Sequence, residues 1–246
     1  MCEHFVARAE EPFRIDALWP FTERLERFGI AGFGWGAAWR RRDGRLDSYR
    51  NLLAFGDDDP GREAVGRAET TSLLVHLRRP SKLSTLTLPD TQPFADPRGR
   101  FAFSHNGDLQ AVRPWRDRYR AEGRIHGRAD TEVGERWLED AWPNGSPTTS
   151  PTASPDGSPA DRSTPRLLAN LHEVFGGHAN LALLAADGSV HHYAGNDENP
   201  VFTFRLDGIR LAATGIYSLD RSLFRFVAPG ATERRLLAQR ATASFA

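Results

Sequence analysis

Apolar positions along this chain follow two rhythms. "TTSLLVHLR" (70–78) and "GRFAFSHNG" (99–107) are short, continuous apolar runs with β-branched or aromatic members, which predicts buried strands. The first ends in His76 and Arg78, the second in Asn106–Gly107. Residues 2–8 ("CEHFVAR") read as a short first strand, and "GFGWGAAW" (32–39) is joined to "RRRDGRLDSYR" by Asp43–Gly44, a hairpin signal. "ANLALLAADGSVHHYAG" and "VFTFRLDGIRLAAT" are each broken by Asp-Gly and predict two further hairpins. "LFRFVAPG" (223–230) predicts a last strand and turn.

The second rhythm is helical. Phe21–Phe28 ("FTERLERF") is amphipathic and ends at Gly29. Val133, Trp137, Leu138 and Ala141 share one helix face within 130–142, with Asp130 where an N-cap belongs. Leu167, Leu168, Leu171, Val174 and Phe175 share another, entered through Ser163, Thr164 and Pro165 and closed by Gly176–Gly177. Between these helices, residues 143–164 are rich in Pro, Ser, Thr and Gly and hold nothing that could build a core. They are expected to be a disordered insertion within one domain covering 1–246. Strands on both sides of a helix pair imply an α+β protein with two mostly antiparallel sheets and helices on the outer faces.

Composition narrows this picture only a little. Lys+Arg and Asp+Glu both total 32, so no basic excess points to nucleic acid. No apolar run approaches the ~20 residues that span a bilayer, and no secretory h-region opens the chain, so neither membrane nor export is expected and the cytoplasm is the default. The glycines of 32–39 match no phosphate loop, and glycine inside a strand marks the close approach of another backbone or a ligand. His191 and His192, adjacent on a strand, point to opposite faces and cannot act together as ligands. With a single cysteine there is no internal disulfide and no cysteine-based zinc site, and no cofactor or metal is expected. That cysteine is Cys2, directly after Met1, where a structural thiol would ordinarily fray.

Singly, the polar candidates are ordinary: Arg78 an ion-pair partner, Asn106–Gly107 a turn, Asp130 a cap, His76 a core histidine. Their order is not. Cys2, then "HLR" (76–78), "HNGDL" (105–109) and "RADTE" (128–132) closely resembles the class II glutamine amidotransferase family. "TQPF" (91–94) and "ATGIYSLDRSLFRFVAPG" near the C-terminus extend the resemblance over most of the chain. It differs from the family at Arg79–Pro80–Ser81–Lys82, where an aromatic or basic residue and "A-T" are common, and at Asp90–Thr91–Gln92–Pro93–Phe94, where "N-T-H-P-F" is common.

The resemblance implies the four-layer αββα sandwich of N-terminal nucleophile hydrolases. It also implies roles. With Met1 removed, Cys2 is nucleophile and its α-amino group, with a reference pKa of about 7.7–8.0, is base. The Asn106 amide and the Gly107 N–H form an oxyanion hole, Arg78 grips the substrate α-carboxylate, Asp130 binds its α-ammonium, and His76 joins the substrate-binding set. The implied function is hydrolysis of a small-molecule γ-glutamyl amide, glutamine or a γ-glutamyl conjugate, through a Cys2 thioester. Glutamate is released together with an amine or ammonia, the chain either hydrolysing γ-glutamyl compounds alone or delivering ammonia to a separate acceptor enzyme. The alternative is a catalytically silent domain that regulates or scaffolds a partner. Leaving group and oligomeric state stay open.

Overall fold

The computed structural model describes residues 2–29, 31–143, 163–215 and 224–246. Met1, nearly all of the expected insertion and residues 216–223 of the C-terminal motif lie outside the described residues.

The expected αββα sandwich is observed. One sheet contains β1 (Glu3–Arg14), β2 (Trp35–Arg40), β3 (Leu46–Asn51), β4 (Glu69–Leu77), β9 (Val201–Leu206), β10 (Ile209–Thr214) and β11 (Thr232–Leu236), in the order β11-β9-β10-β1-β4-β2-β3. The other contains β5 (Phe94–Ala95), β6 (Phe101–Asp108), β7 (His178–Ala185), β8 (Val190–Tyr193) and β12 (Thr242–Phe245), in the order β12-β8-β7-β6-β5. Every strand pairing is antiparallel.

The period-two alternation of strand side chains sorts the apolar residues into three cores. On β1, Phe5 and Ala7 join Val75 and Leu77 of β4 against Phe21 and Leu25 of α1 (Trp19–Gly29) and Val65 of α2 (Asp59–Gly66). On β6, Phe101 and Phe103 pack with Tyr119 of α3 (Arg113–Ala121), Val133 and Leu138 of α4 (Asp130–Ala141) and Leu167 to Phe175 of α5 (Thr164–Phe175). The intervening positions, Val6, Ala38, Leu74, Ala102, Ala182 and Leu184 among them, meet between the sheets. Many of these are small, so the two sheets approach closely.

The hairpins at Asp43–Gly44, Asp187–Gly188 and Asp207–Gly208 lie between paired strands as expected. Gly36 on β2 explains its own identity, since a Cβ there would lie 2.3 Å from the Gln92 carbonyl oxygen. The backbone around Gln92 is thereby pressed onto β2. Two expectations need correction. Residues 2–8 are only the first part of a 12-residue central strand. The strand expected at 223–230 is instead a helical turn, α6 (Phe224–Val227). Phe224 and Val227 are buried while the residues between them are exposed, a three-residue spacing that a strand cannot present to one face. No helix among the described residues is long and apolar enough to cross a membrane.

Candidate active site

Cys2 stands just before β1, whose Glu3 pairs in register with Leu77 at the end of β4. Its start does not fray. Asn199 Nδ2 donates to the Cys2 carbonyl at 3.4 Å and lies equally near the buried Glu3 carboxylate, which also accepts the Thr214 hydroxyl. The half-buried thiol accepts the Arg79 N–H at 3.3 Å. Burial pushes the thiol pKa up, opposed by that N–H and by the nearby Arg78 charge, so the sulfur needs a proton acceptor to become a nucleophile.

Arg78 is 4% exposed, and its guanidinium is held by one short loop. It donates to the Thr91 hydroxyl at 3.0 Å and the Thr87 carbonyl at 3.3 Å through Nη1, and to the Thr85 carbonyl through Nη2. Burial lowers its pKa, while Cys2 and Asp90 favour its charge. Three of five N–H groups are thus engaged. Nε–H and one Nη2–H find no acceptor among the described residues, and these two are suited to a carboxylate.

Asn106–Gly107 is not a hairpin tip: Asn106 pairs with Asn180 and Gly107 with Ala179 inside the β6–β7 ladder. Gly107 has φ 137°, and a Cβ there would lie 1.7 Å from the His178 carbonyl oxygen. Only glycine fits. Asn106 is fully buried, yet neither its Oδ1 nor its Nδ2 finds a partner among the described residues. An unpaired buried amide costs about 1–3 kcal/mol, which makes it an amide held for something else.

Asp130 is the first residue of α4, and Ala129, not Asp130, occupies the N-cap position. The carboxylate accepts the Leu109 N–H at 2.8 Å and the Thr131 N–H at 2.9 Å, tying the helix to the segment after Asn106–Gly107. Cys2, Arg78, Gly107 and Asp130 all line one cavity of about 760 Å³. His76 does not. It is completely buried between the sheets, with Nδ1 2.7 Å from Ser104 Oγ, so the expectation that it touches substrate is corrected. The alternation of β4 places it one pleat deeper than Arg78.

Sequence reasoning missed the residues that hold this cavity together. Asp90 Oδ1 accepts the backbone N–H groups of Arg128 and Ala129, the latter at 2.7 Å, and Oδ2 accepts the Thr87 hydroxyl at 2.8 Å. Gln92 Oε1 accepts the His105 N–H at 2.6 Å, and its Nε2 donates to the Thr131 hydroxyl at 3.0 Å. The segment that departs from the family pattern is therefore a buried strap joining the Arg78 loop to the start of α4. Its only sequence signal is a run of polar residues beside Pro93, which looks like any loop. Asp90→Ala, which leaves the part-buried N–H groups of Arg128 and Ala129 without their acceptor, is expected to lower stability by about 1–2 kcal/mol, which chemical denaturation checks.

No family model and no curated protein matches this sequence. Solved structures do. Glutamine phosphoribosylpyrophosphate amidotransferase from B. subtilis, complexed with ADP and GMP, superposes with a TM-score of 0.67 at 14% identity, covering 100% of this chain and 49% of that one. This chain thus spans about half the length of that enzyme. A glutamine aminotransferase class-II domain protein from Silicibacter pomeroyi gives a TM-score of 0.55 at 14% identity, covering 99% of this chain and 98% of that chain. A predicted glutamine amidotransferase from Pseudomonas aeruginosa PA01 gives 0.51 at 14% identity, covering 99% and 97%. At this identity the likeness is one of fold.

Proposed function

We propose that this chain belongs to the class II glutamine amidotransferases and hydrolyses a γ-glutamyl amide through an N-terminal cysteine. One observation carries the reading: Cys2, Arg78, Gly107 and Asp130, drawn from four separate segments, meet on one cavity, with the unpartnered Asn106 amide beside Gly107. The solved amidotransferases share the fold that brings those segments together.

The mechanism follows from the groups available. After Met1 is removed, the Cys2 α-amine takes the thiol proton and the sulfur attacks the γ-carbonyl carbon. The oxyanion that forms is met by the Asn106 amide and the Gly107 N–H, donors worth about 2.7–4 kcal/mol each in comparable sites. Collapse breaks the C–N bond, and the departing nitrogen carries away the proton held by the α-amine, leaving a γ-glutamyl thioester. Water then attacks that ester, giving its proton to the same amine, and the thiol and glutamate are regenerated. Arg78 and Asp130 recognise the α-carboxylate and α-ammonium, so that only a free glutamyl end is accepted.

Pockets of about 300–1,000 Å³ hold drug-sized ligands, and a cavity of about 760 Å³ has room for more than free glutamine. Arg79, Lys82, Arg116 and Arg128 also line it, and none of them has an ion-pair partner among the described residues. Asp90, Asp108, Asp130 and Glu198 line it as well, so the wall carries both signs, and a γ-glutamyl conjugate with a charged leaving portion suits it better than a purely apolar one. Glutamate release measured across glutamine, neutral γ-glutamyl amides and anionic γ-glutamyl peptides tests the reading. Release from none of them, in a protein whose intact mass shows Met1 removed, overturns it.

Recognition of the α-carboxylate gives a sharper expectation. Arg78→Lys keeps the charge and loses the planar fork, so KM is expected to rise about 10–100-fold with a smaller change in kcat. Steady-state kinetics on the best substrate check this. An unchanged KM would mean that the carboxylate binds elsewhere.

A further inference from the structure

Behind the cavity lies a polar layer that the proposed chemistry does not use. His4 stands two positions after Cys2 on β1, His76 two before Arg78 on β4, and Ser104 two before Asn106 on β6. Because strand side chains alternate with period two, each belongs to the same face as its site partner, one pleat deeper. The three meet. Ser104 Oγ lies 2.9 Å from His4 Nδ1 and 2.7 Å from His76 Nδ1, and all three residues are fully buried. β1 and β4 belong to one sheet and β6 to the other. A single hydroxyl therefore bonds across the inter-sheet gap to two strands at once.

We infer that the His4–Ser104–His76 bridge is a positioning device that sets the spacing between the nucleophile strand β1 and the oxyanion strand β6, an inference that rests on the function proposed above. The physical case is one of directionality. Next along the same faces come Val6, Leu74 and Ala102, apolar residues of the inter-sheet core. Apolar contact is non-directional and fixes the separation of two sheets only loosely. A hydroxyl both donates and accepts, so Ser104 donates to one neutral imidazole and accepts from the Nδ1–H of the other, each with a narrow distance range. The nucleophile and the oxyanion donors reside on different sheets, yet such donors must stand about 2.7–3.1 Å from the oxyanion. A displacement of about 1 Å costs about 100-fold in rate. A fixed cross-sheet bond one residue pair behind the chemistry removes that freedom.

Ser104→Ala removes both bonds and leaves the side chains of Cys2, Arg78, Asn106 and Asp130 chemically unaltered. It is expected to lower kcat for γ-glutamyl hydrolysis about 100-fold with KM unchanged, because the misplaced donors act only on the transition state. His4→Leu, which removes the bond between β1 and β6, is expected to do the same, while His4→Asn, whose side-chain amide takes the place of Nδ1, recovers most of the rate. Leu184→Ala, in the apolar layer deeper between the sheets, serves as the control, expected to lower Tm without the kcat loss. The inference is overturned if folded Ser104→Ala keeps the wild-type kcat, if KM rises in step with the loss, or if Leu184→Ala loses kcat equally. A readout independent of activity is thermal unfolding of the Ser104→Ala/His4→Leu double variant. It is expected to melt no lower than the weaker single variant, since either change alone breaks the bridge; additive losses overturn it. Absence of any γ-glutamyl hydrolysis in the wild-type protein overturns the proposed function instead and leaves the melting test to decide on the bridge.

Discussion

Cys2→Ala is expected to abolish glutamate release, with a loss of at least about three orders of magnitude in kcat, since removing a covalent nucleophile costs up to about 10⁶ in comparable hydrolases. In the proposed mechanism the Cys2 sulfur forms the bond and its α-amine handles the proton, and the substitution removes the sulfur alone. The alanine variant retains the amine and the cavity, so glutamate should still bind through Arg78 and Asp130. Cys2→Ser separates the two contributions further, because it keeps an oxygen nucleophile next to the same base. A glutamine-analogue electrophile provides the direct measurement: peptide mapping should find the label on Cys2 in the wild-type protein and nowhere in the alanine variant. Equal glutamate release by wild type and alanine variant would remove cysteine chemistry from this protein.

Acid should unfold the protein steeply, and the histidines between the sheets are the reason. Burial lowers the pKa of His4, His76 and His192, the last to about 3, and the neighbouring histidines lower His4 further. His4 and His192 pack edge to face at 4.6 Å, with both nitrogens of His192 unpartnered among the described residues. In the unfolded chain each imidazole titrates near 6.5. Below that value the unfolded state binds protons that the folded state refuses, so stability falls as pH falls and is intact above it. Each such histidine contributes a slope of up to about 1.4 kcal/mol per pH unit. Three together reach about 4 kcal/mol per unit, enough to exhaust a stability of about 5–15 kcal/mol within a few units. Tm is expected to be flat above pH 7 and to drop sharply between about pH 6 and 4. His192→Leu should make that drop shallower. A profile that stays flat to pH 4 would show the imidazoles to be as easily protonated in the folded protein as outside it.

Much of this was legible in the sequence. Apolar runs and Asp-Gly turns placed most strands, and the two helix faces at 130–142 and 163–175 placed the layer over β6 and β7. Of the order Cys2, Arg78, Asn106–Gly107, Asp130, all but Asn106 stand in the walls of one cavity. What stayed hidden depends on contacts between residues distant along the chain. Asp90 and Gln92 matter because they reach Ala129 and Thr131, and no local periodicity encodes that reach. His76 carries no local mark of which pleat it occupies relative to a cavity that is formed by other strands. Nothing local marks Gly107 as demanded by the His178 carbonyl, which belongs to a strand 71 residues away. Phe224 and Val227 were misread because a four-residue apolar cluster fits either period.

The position of β1 has a consequence for synthesis. It lies between β4 and β10, so one of its edges has no neighbour until residues 209–214 have left the ribosome. Asn199 and Thr214, which pin its start, come equally late. A nascent chain therefore exposes its first residues long before the Cys2 thiol is seated, and the cavity wall that carries it is complete only once residues 199–214 have been made.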